Sequence, residues 1–361
     1  MSLPARSATV LACVIALAGV SLFTLAQEAP TYKVDVSVVN VLATVRDRSG
    51  RIVNNLSKDD FILEEDGKPQ EIRYFSRQTE TPLKMGLLID TSMSQRNLIK
   101  DERSASYQFL NQVLRPDQDQ AFVIKFDFEA ELLQDLTSSY DSLQKALNAL
   151  DLPANSRRRA SKWADPDGTS ASLVQGWPGG GRFPGGGRRG GQWPGGQRRT
   201  GGGTVLYDSV FLASNEVLQA QEGRKAIIVI SDGVDNGSKV SEKEAIDAAH
   251  HADTIVYCIR YYDWTAYDSP FGGRRMGRDQ GSTGASALKA LSQDTGGRMF
   301  EVSKKLPLKE IYDRIQEELR NQYYLGYTPS SPGGTDFRHI KLRTKDDKLQ
   351  VVTRAGYFPK H

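Results

Sequence analysis

The chain has 361 residues, 39% of them apolar and 25% charged, and its 47 basic and 44 acidic residues leave a net charge of +3. That length allows two or three domains with at least one substantial core, and the near balance of charge excludes a polyanion and a strong, general nucleic-acid binder. The balance conceals one basic tract: between 155 and 203 nine Lys and Arg stand against two Asp, so the remainder is acidic by four.

In chain order, Arg6 precedes an apolar run over 8–26, and "FTLAQEAP" offers small-residue cleavage after Ala26. Residues 1–26 therefore read as a signal peptide. The run is also about as long as a membrane span, so an uncleaved membrane anchor is the alternative. Either way the chain is expected to be exported across the inner membrane, to a periplasmic, extracellular or membrane-anchored location. Cys13 leaves with a cleaved signal, which makes Cys258 the lone cysteine and excludes an intrachain disulfide. Cys258 lies inside "TIVYCIRY" and reads as a small buried hydrophobe, not a nucleophile.

Residues 31–78 read as strands: a Val-rich stretch with partial alternation, the turn "RSGR", and two short strands around "EDGK". From Leu83 strands and helices alternate. Strands are predicted at "KMGLLID", "QAFVIKFD", "KAIIVISD", "TIVYCIRY" and "RMFEV". Helices are predicted over about 97–114, "SYDSLQKALNALD", 207–221, 241–252, 284–294 and 307–320. Continuous Val/Ile-rich strands separated by helices predict an α/β domain over 83–320, a doubly wound, mostly parallel sheet with helices on both faces. Beyond it, 321–361 reads as a three-stranded antiparallel meander of "QYYLGYTP", "FRHIKLRT" and "LQVVTR". Neither β segment is large enough for a core of its own. The two are expected to pack together as one β-sandwich with the α/β domain inserted between them.

The Gly- and Arg-rich insertion over 155–203 cannot bury a core and is expected to be disordered. Its interleaved Trp and Phe suit RNA in principle. In an exported chain a solvated loop, or one that contacts acidic polymers or anionic surfaces, is the better reading, and no nucleic-acid partner is expected.

Ligands of doubly wound sheets bind beyond the carboxyl ends of the strands. In "LLIDTSMS" Asp90 ends a predicted strand, and Ser92 and Ser94 place two hydroxyls on the turn after it. These three hard oxygens begin a Mg²⁺ site but cannot fill an octahedral shell. Asp232 ends "AIIVISD", and Thr204 in "GGGTVLYD" stands just before a helix start. The plainer readings are helix caps for Ser92, Ser94 and Thr204. Asp235 is read as fixing the turn around Gly233 and Gly237, and Asp208 as a first-turn acid favoured by the helix dipole.

Taken together, "DTSMS", "GGT" and "SDG" resemble the metal-ion-dependent adhesion site (MIDAS) of von Willebrand factor type A (VWA) domains, with the pattern D-x-S-x-S, T, D. The resemblance implies a Mg²⁺ (or Mn²⁺) site in which Ser92 and Ser94 bind the ion directly. Thr204 would join in the ligand-bound state, and Asp90 and Asp232 would coordinate directly or through water. It further implies one open position for an Asp or Glu carboxylate of a protein partner. The gap from Ser94 to Thr204 is longer than the family pattern leads one to expect, and the basic tract accounts for the excess. The flanks "VRDRSGRIVNNLSKDDFILEEDGKPQEIRYFS", "NQYYLGYTP" and "RAGYF" resemble the exported VWA-related proteins of acidobacteria.

Catalysis is not expected. A phosphatase of the haloacid-dehalogenase type needs a second aspartate where Ser92 stands, and the sequence contains no GxSxG, HExxH or P-loop lysine motif. His250 and His251 fall on a predicted helix and read as surface or half-buried. The resulting expectation is a metal-dependent protein-binding module. Its alternatives are a structural envelope component whose metal only stabilises the fold, and a surface binder acting through the Arg–Gly loop.

Overall fold

The computed structural model describes residues 38–77, 81–92, 95, 99–150, 204–261, 274–330 and 334–359, without the side chains of 100, 101 and 274–282. The expected signal peptide and the 155–203 insertion lie outside the described residues. Among those described, no helix is long and apolar enough to cross a membrane.

The amino-terminal segment supplies β1 (Val39–Arg46), β2 (Phe61–Glu65), β3 (Lys68–Gln70) and β4 (Tyr74–Arg77). Between β2 and β3 the chain turns on Asp66 and Gly67, both at positive φ (49° and 76°), as a two-residue hairpin of right-handed twist requires. The α/β region follows with β5 (Leu83–Asp90), α1 (Ile99–Val113), β6 (Gln120–Phe126), β7 (Ala130–Thr137) and α2 (Tyr140–Asn148). It continues with α3 (Leu206–Leu212), which runs into a π-helical turn (Ala213–Leu218), then β8 (Arg224–Ser231), α4 (Glu242–His251) and β9 (Thr254–Arg260). It ends with α5 (Arg274–Thr295), β10 (Met299–Glu301) and α6 (Leu308–Arg320). The last strands are β11 (Tyr323–Tyr327), β12 (Arg338–Thr344), β13 (Gln350–Thr353) and β14 (Gly356–Tyr357).

The central sheet has the order β10-β9-β8-β5-β6-β7. All neighbours are parallel except β7, which runs antiparallel on the edge. Alternation along the buried strands sorts their side chains into two cores. Leu83, Met85, Leu87 and Ile89 of β5 meet α1, α2 and α6 on one face. Leu88, with Ile227 and Val229 of β8, meets α3, α4 and α5 on the other. This is the doubly wound α/β architecture expected from the sequence.

Two elements depart from expectation. β7 was not anticipated because "AELLQDLT" carries Glu, Gln and Asp and little β-branching. It is an edge strand with register shifts against β6, and pairing overrides its weak propensity. α5 begins about ten residues before the predicted start, because Gly277, Gly281 and Gly284 depress its apparent helix propensity.

The terminal β segments do form one sandwich, but not by the expected meander. β11 pairs with β1 and β4, β13 pairs with β1, and β12 pairs with β2 and β14. The strands of the two termini are shuffled into sheets β13-β1-β11-β4 and β14-β12-β2-β3. They share a core of Val41, Val45, Phe61, Leu63, Tyr323, Leu325 and Leu342. Local alternation identifies a strand and its buried face but carries no information about its partner, which is why the meander reading failed.

A buried carboxylate fastens this sandwich to the α/β domain. Glu318 of α6, 1% exposed, accepts from Arg46 Nη2 of β1 at 2.6 Å and from Arg298 Nη1 at 3.0 Å, and it bonds the buried Tyr257 hydroxyl of β9. Removing one partner of such a network strands the remaining charges without water. Glu318→Ala is expected to lower unfolding stability by about 3–5 kcal/mol, read from urea denaturation midpoints. Loss within the range of an ordinary surface substitution would refute the fastening role.

Candidate metal site

The strand order reverses between β5 and β8, and this opens a crevice at their carboxyl ends. Their register pairs Ile89 with Ile230, so Asp90 and Ser231 emerge side by side. Asp90 has no solvent exposure. Its Oδ1 accepts from the backbone N–H of Ser92 at 2.9 Å, and its Oδ2 accepts from Ser231 Oγ at 2.6 Å. Asp232, 1% exposed, follows directly, and its Oδ1 accepts from the Val234 N–H at 3.0 Å.

Two buried carboxylates in one crevice repel each other. Burial first, and the charge of Asp232 second, push the Asp90 carboxyl up to about 7 against an ordinary value of 3.8. Hydrogen bonds from Ser231 and Ser92 oppose the rise without cancelling it.

The third loop is laced to the second. The Thr204 carbonyl accepts from the N–H groups of Asn236 at 3.0 Å and Gly237 at 3.1 Å, and Thr204 itself is 6% exposed. Asp235 does not enter the crevice cluster as a second carboxylate on Asp90. It accepts from Ser238 Oγ at 2.5 Å and from the Tyr207 N–H at 3.4 Å, fixing the turn as read from the sequence. Asp208 lies in the first turn of α3, and its Oδ1 also accepts from the N–H groups of Lys239 and Val240. On the other side, the Val205 N–H donates to Asp127 O and the Thr91 N–H to Phe126 O. The end of β6 therefore braces both the Asp90 and the Thr204 loops.

Asp90, Ser92, Thr204 and Asp232 are thus carried on three loops interlocked at one edge of the sheet. Ser94 lies outside the described residues. Sequence reasoning missed Ser231, whose hydroxyl bridges Asp90 and the Gly233 N–H at 3.0 Å. Its signal was available in the β8 alternation, which turns residue 231 to the same face as Ile227 and Val229. Gly284 was also missed, as was the close approach that Gly233, read only as a turn residue, makes to it. Gly233 has φ 86°, and a Cβ there would stand 2.2 Å from Gly284 O. A Cβ on Gly284 would stand 2.6 Å from Asp232 O. Helix α5 therefore presses its bare backbone against the Asp232 loop. Cys258 is fully buried, and burial pushes its thiol up, consistent with a small core residue.

The donors fit a small hard cation. They are carboxylate and hydroxyl oxygens, and among the described residues no group of three His, Cys, Asp or Glu is placed to hold a metal. An ion here would rest on two carboxylates, hydroxyls and water. That set suits Mg²⁺ better than an ion preferring nitrogen or sulfur.

No protein-family model matches the sequence, and no curated protein matches it. Among solved structures the chain is similar to the conserved hypothetical protein BatB from Bacteroides thetaiotaomicron, at 16% identity over 66% of this chain and 97% of that one, with a TM-score of 0.40. It is similar to proximal thread matrix protein 1 of the mussel byssus, in a form with a zinc-occupied MIDAS motif, at 14% identity over 71% and 49% of the two chains, with a TM-score of 0.42. It is also similar to the SpRpn10 VWA domain, at 11% identity over 64% and 94%, with a TM-score of 0.36.

Two outcomes are expected of the site itself. In the metal-free folded chain Asp90 holds a proton that the unfolded chain releases above about 3.8. The stabilisation from this group is therefore complete below about 4 and is lost as the pH rises through about 7. In EDTA, the difference in melting temperature between wild type and Asp90→Asn should fall across that window, and a flat difference curve would contradict the buried carboxyl. Gly284→Ala should cost about 1–3 kcal/mol by overpacking, measured by denaturation; a neutral result would mean that the helix stands clear of the Asp232 loop.

Proposed function

We propose that the chain is an exported, non-enzymatic protein-binding module of the VWA adhesion-site type. Ser92, Ser94, Thr204, Asp90 and Asp232 would hold Mg²⁺ (or Mn²⁺). The observation that carries this reading is the pair of buried carboxylates, Asp90 and Asp232, at the strand-order switch, with Ser92 and Thr204 on loops bonded to theirs. When bound, the ion would offer a coordination position to an Asp or Glu of a protein partner.

The chain's own residues prepare the position. Asp90 is held through both oxygens and cannot swing away from the crevice. Asp232 is oriented by the Val234 N–H, and Gly233 permits the sharp exit from β8. Among the described residues, two carboxylates would serve the site. The cation's charge would remain incompletely neutralised and available to an acidic ligand.

The test is titration of EDTA-stripped protein with Mg²⁺, followed by capture of partners from envelope extracts with and without the ion. Asp232→Asn should weaken Mg²⁺ about tenfold or more. Asp90→Ala should abolish Mg²⁺-dependent capture. EDTA should release the partner while leaving the melting temperature nearly unchanged. Unfolding on chelation with no Mg²⁺-dependent partner would instead favour a metal that only stabilises an envelope component.

A further inference from the structure

Among the described residues three large apolar side chains stand exposed: Val38, Tyr74 and Phe128. The first two belong to the sandwich. Phe128, 51% exposed, belongs to the α/β domain. One apolar residue at a surface needs no explanation in itself. Its place in the fold is what requires one.

Phe128 is the middle residue of the turn from β6 to β7, at whose base Phe126 pairs with Ala130. The turn is closed on itself. The Asp127 N–H donates to Glu129 O at 3.2 Å, and the Glu129 N–H to Asp127 Oδ1 at 3.3 Å. Its base is anchored, because the Phe126 ring is sealed in the core. The same backbone braces the metal crevice: Phe126 O accepts from the Thr91 N–H and Asp127 O from the Val205 N–H, both at 2.9 Å.

The sheet register fixes how near the ring is to that crevice. Phe126 lies directly opposite Asp90. Adjacent strands are about 4.8 Å apart and two further residues span at most about 7 Å, so the Phe128 backbone stands within about 12 Å of the Asp90 backbone. An exposed aromatic side chain on a fixed turn loses little freedom when a partner covers it.

The tip of the turn is acidic. Phe128 is flanked by the half-buried Asp127 and the exposed Glu129, while Lys125 of β6 pairs with Glu131 at 2.9 Å. A carboxylate brought to this rim would be repelled, and an apolar group would strip water from two acids without pairing them. A guanidinium answers both features, since it stacks on an aromatic face and pairs with carboxylates.

We propose that the protein segment engaged at the metal site carries, beside the acid it gives to the ion, an arginine that stacks on Phe128 between Asp127 and Glu129. This deepens, and rests on, the metal-site reading above. An extended segment rises about 3.3 Å per residue, so the arginine stands within about four residues of the acid.

The experiment follows the anisotropy of labelled Gly/Ser peptides titrated with the full chain in excess Mg²⁺. Each peptide holds one Asp and, two or four residues away, Arg, Leu, Ala or Glu. At one spacing or the other, Arg should bind about fivefold or more tightly than Ala. Leu should fall below Arg, and Glu should bind most weakly. Phe128→Ser and Glu129→Gln should each remove about half or more of the Arg advantage. Both should leave Mg²⁺ uptake by EDTA-stripped protein, followed by calorimetry, as in wild type. The proposal is overturned if Arg gives no advantage over Ala, if Leu equals Arg, or if the advantage survives either substitution undiminished. A wild-type chain that takes up no Mg²⁺ would bring down the metal reading and this proposal together, and its flat calorimetric titration distinguishes that failure from the others.

Discussion

The in-register parallel pairing of β5 and β8 is the constraint on which the rest depends. It sets Ile89 against Ile230 and so delivers Asp90 beside Ser231 and Asp232 at the point where strand order reverses. A slip of one residue would turn Leu87 and Ile228 out of one core and into the other. It would also part Asp90 from the hydroxyl that fixes its Oδ2. The hydrophobic sorting of two cores therefore guarantees the polar geometry at the strand ends. Burial energy spread over many apolar side chains holds two buried carboxylates in one crevice despite their repulsion.

The same division of labour recurs where the sandwich meets the α/β domain. Glu318 draws Arg46, Arg298 and Tyr257 into one network, and Arg354 pairs with Asp253. In the first, one buried carboxylate serves two guanidinium groups. Gly233 and Gly284 show the complementary device, in which missing side chains let helix α5 and the Asp232 loop touch through backbone alone.

Much of this was legible from local chemistry. The apolar runs ending at Asp90 and Asp232 marked strand ends, the β-strand and helix alternation between 83 and 320 marked the doubly wound sheet, and "EDGK" marked a hairpin turn that the positive φ values of Asp66 and Gly67 realise. The unread parts share one physical origin. β7 has weak propensity and exists through edge pairing, α5 looks broken by glycines, one of which, Gly284, its packing requires, and Ser231 becomes notable only once β8 lies beside β5. His250 read as a surface or half-buried residue of α4, but it is buried, with the Phe337 ring against it.

By itself the sequence determined the two periodicities, the places where strands stop at carboxylates and hydroxyls, and the division into β segments around an α/β region. These are properties of neighbours along the chain, set by side-chain alternation, turn residues and propensity. Tertiary structure alone decided which strands pair, and so shuffled β1, β2, β11, β12 and β13 between two sheets instead of leaving the last three as a meander. It alone brought Asp90, Thr204 and Asp232 to one edge. Pairing and burial depend on contacts between residues hundreds of positions apart, and the free energy of those contacts has no local signature.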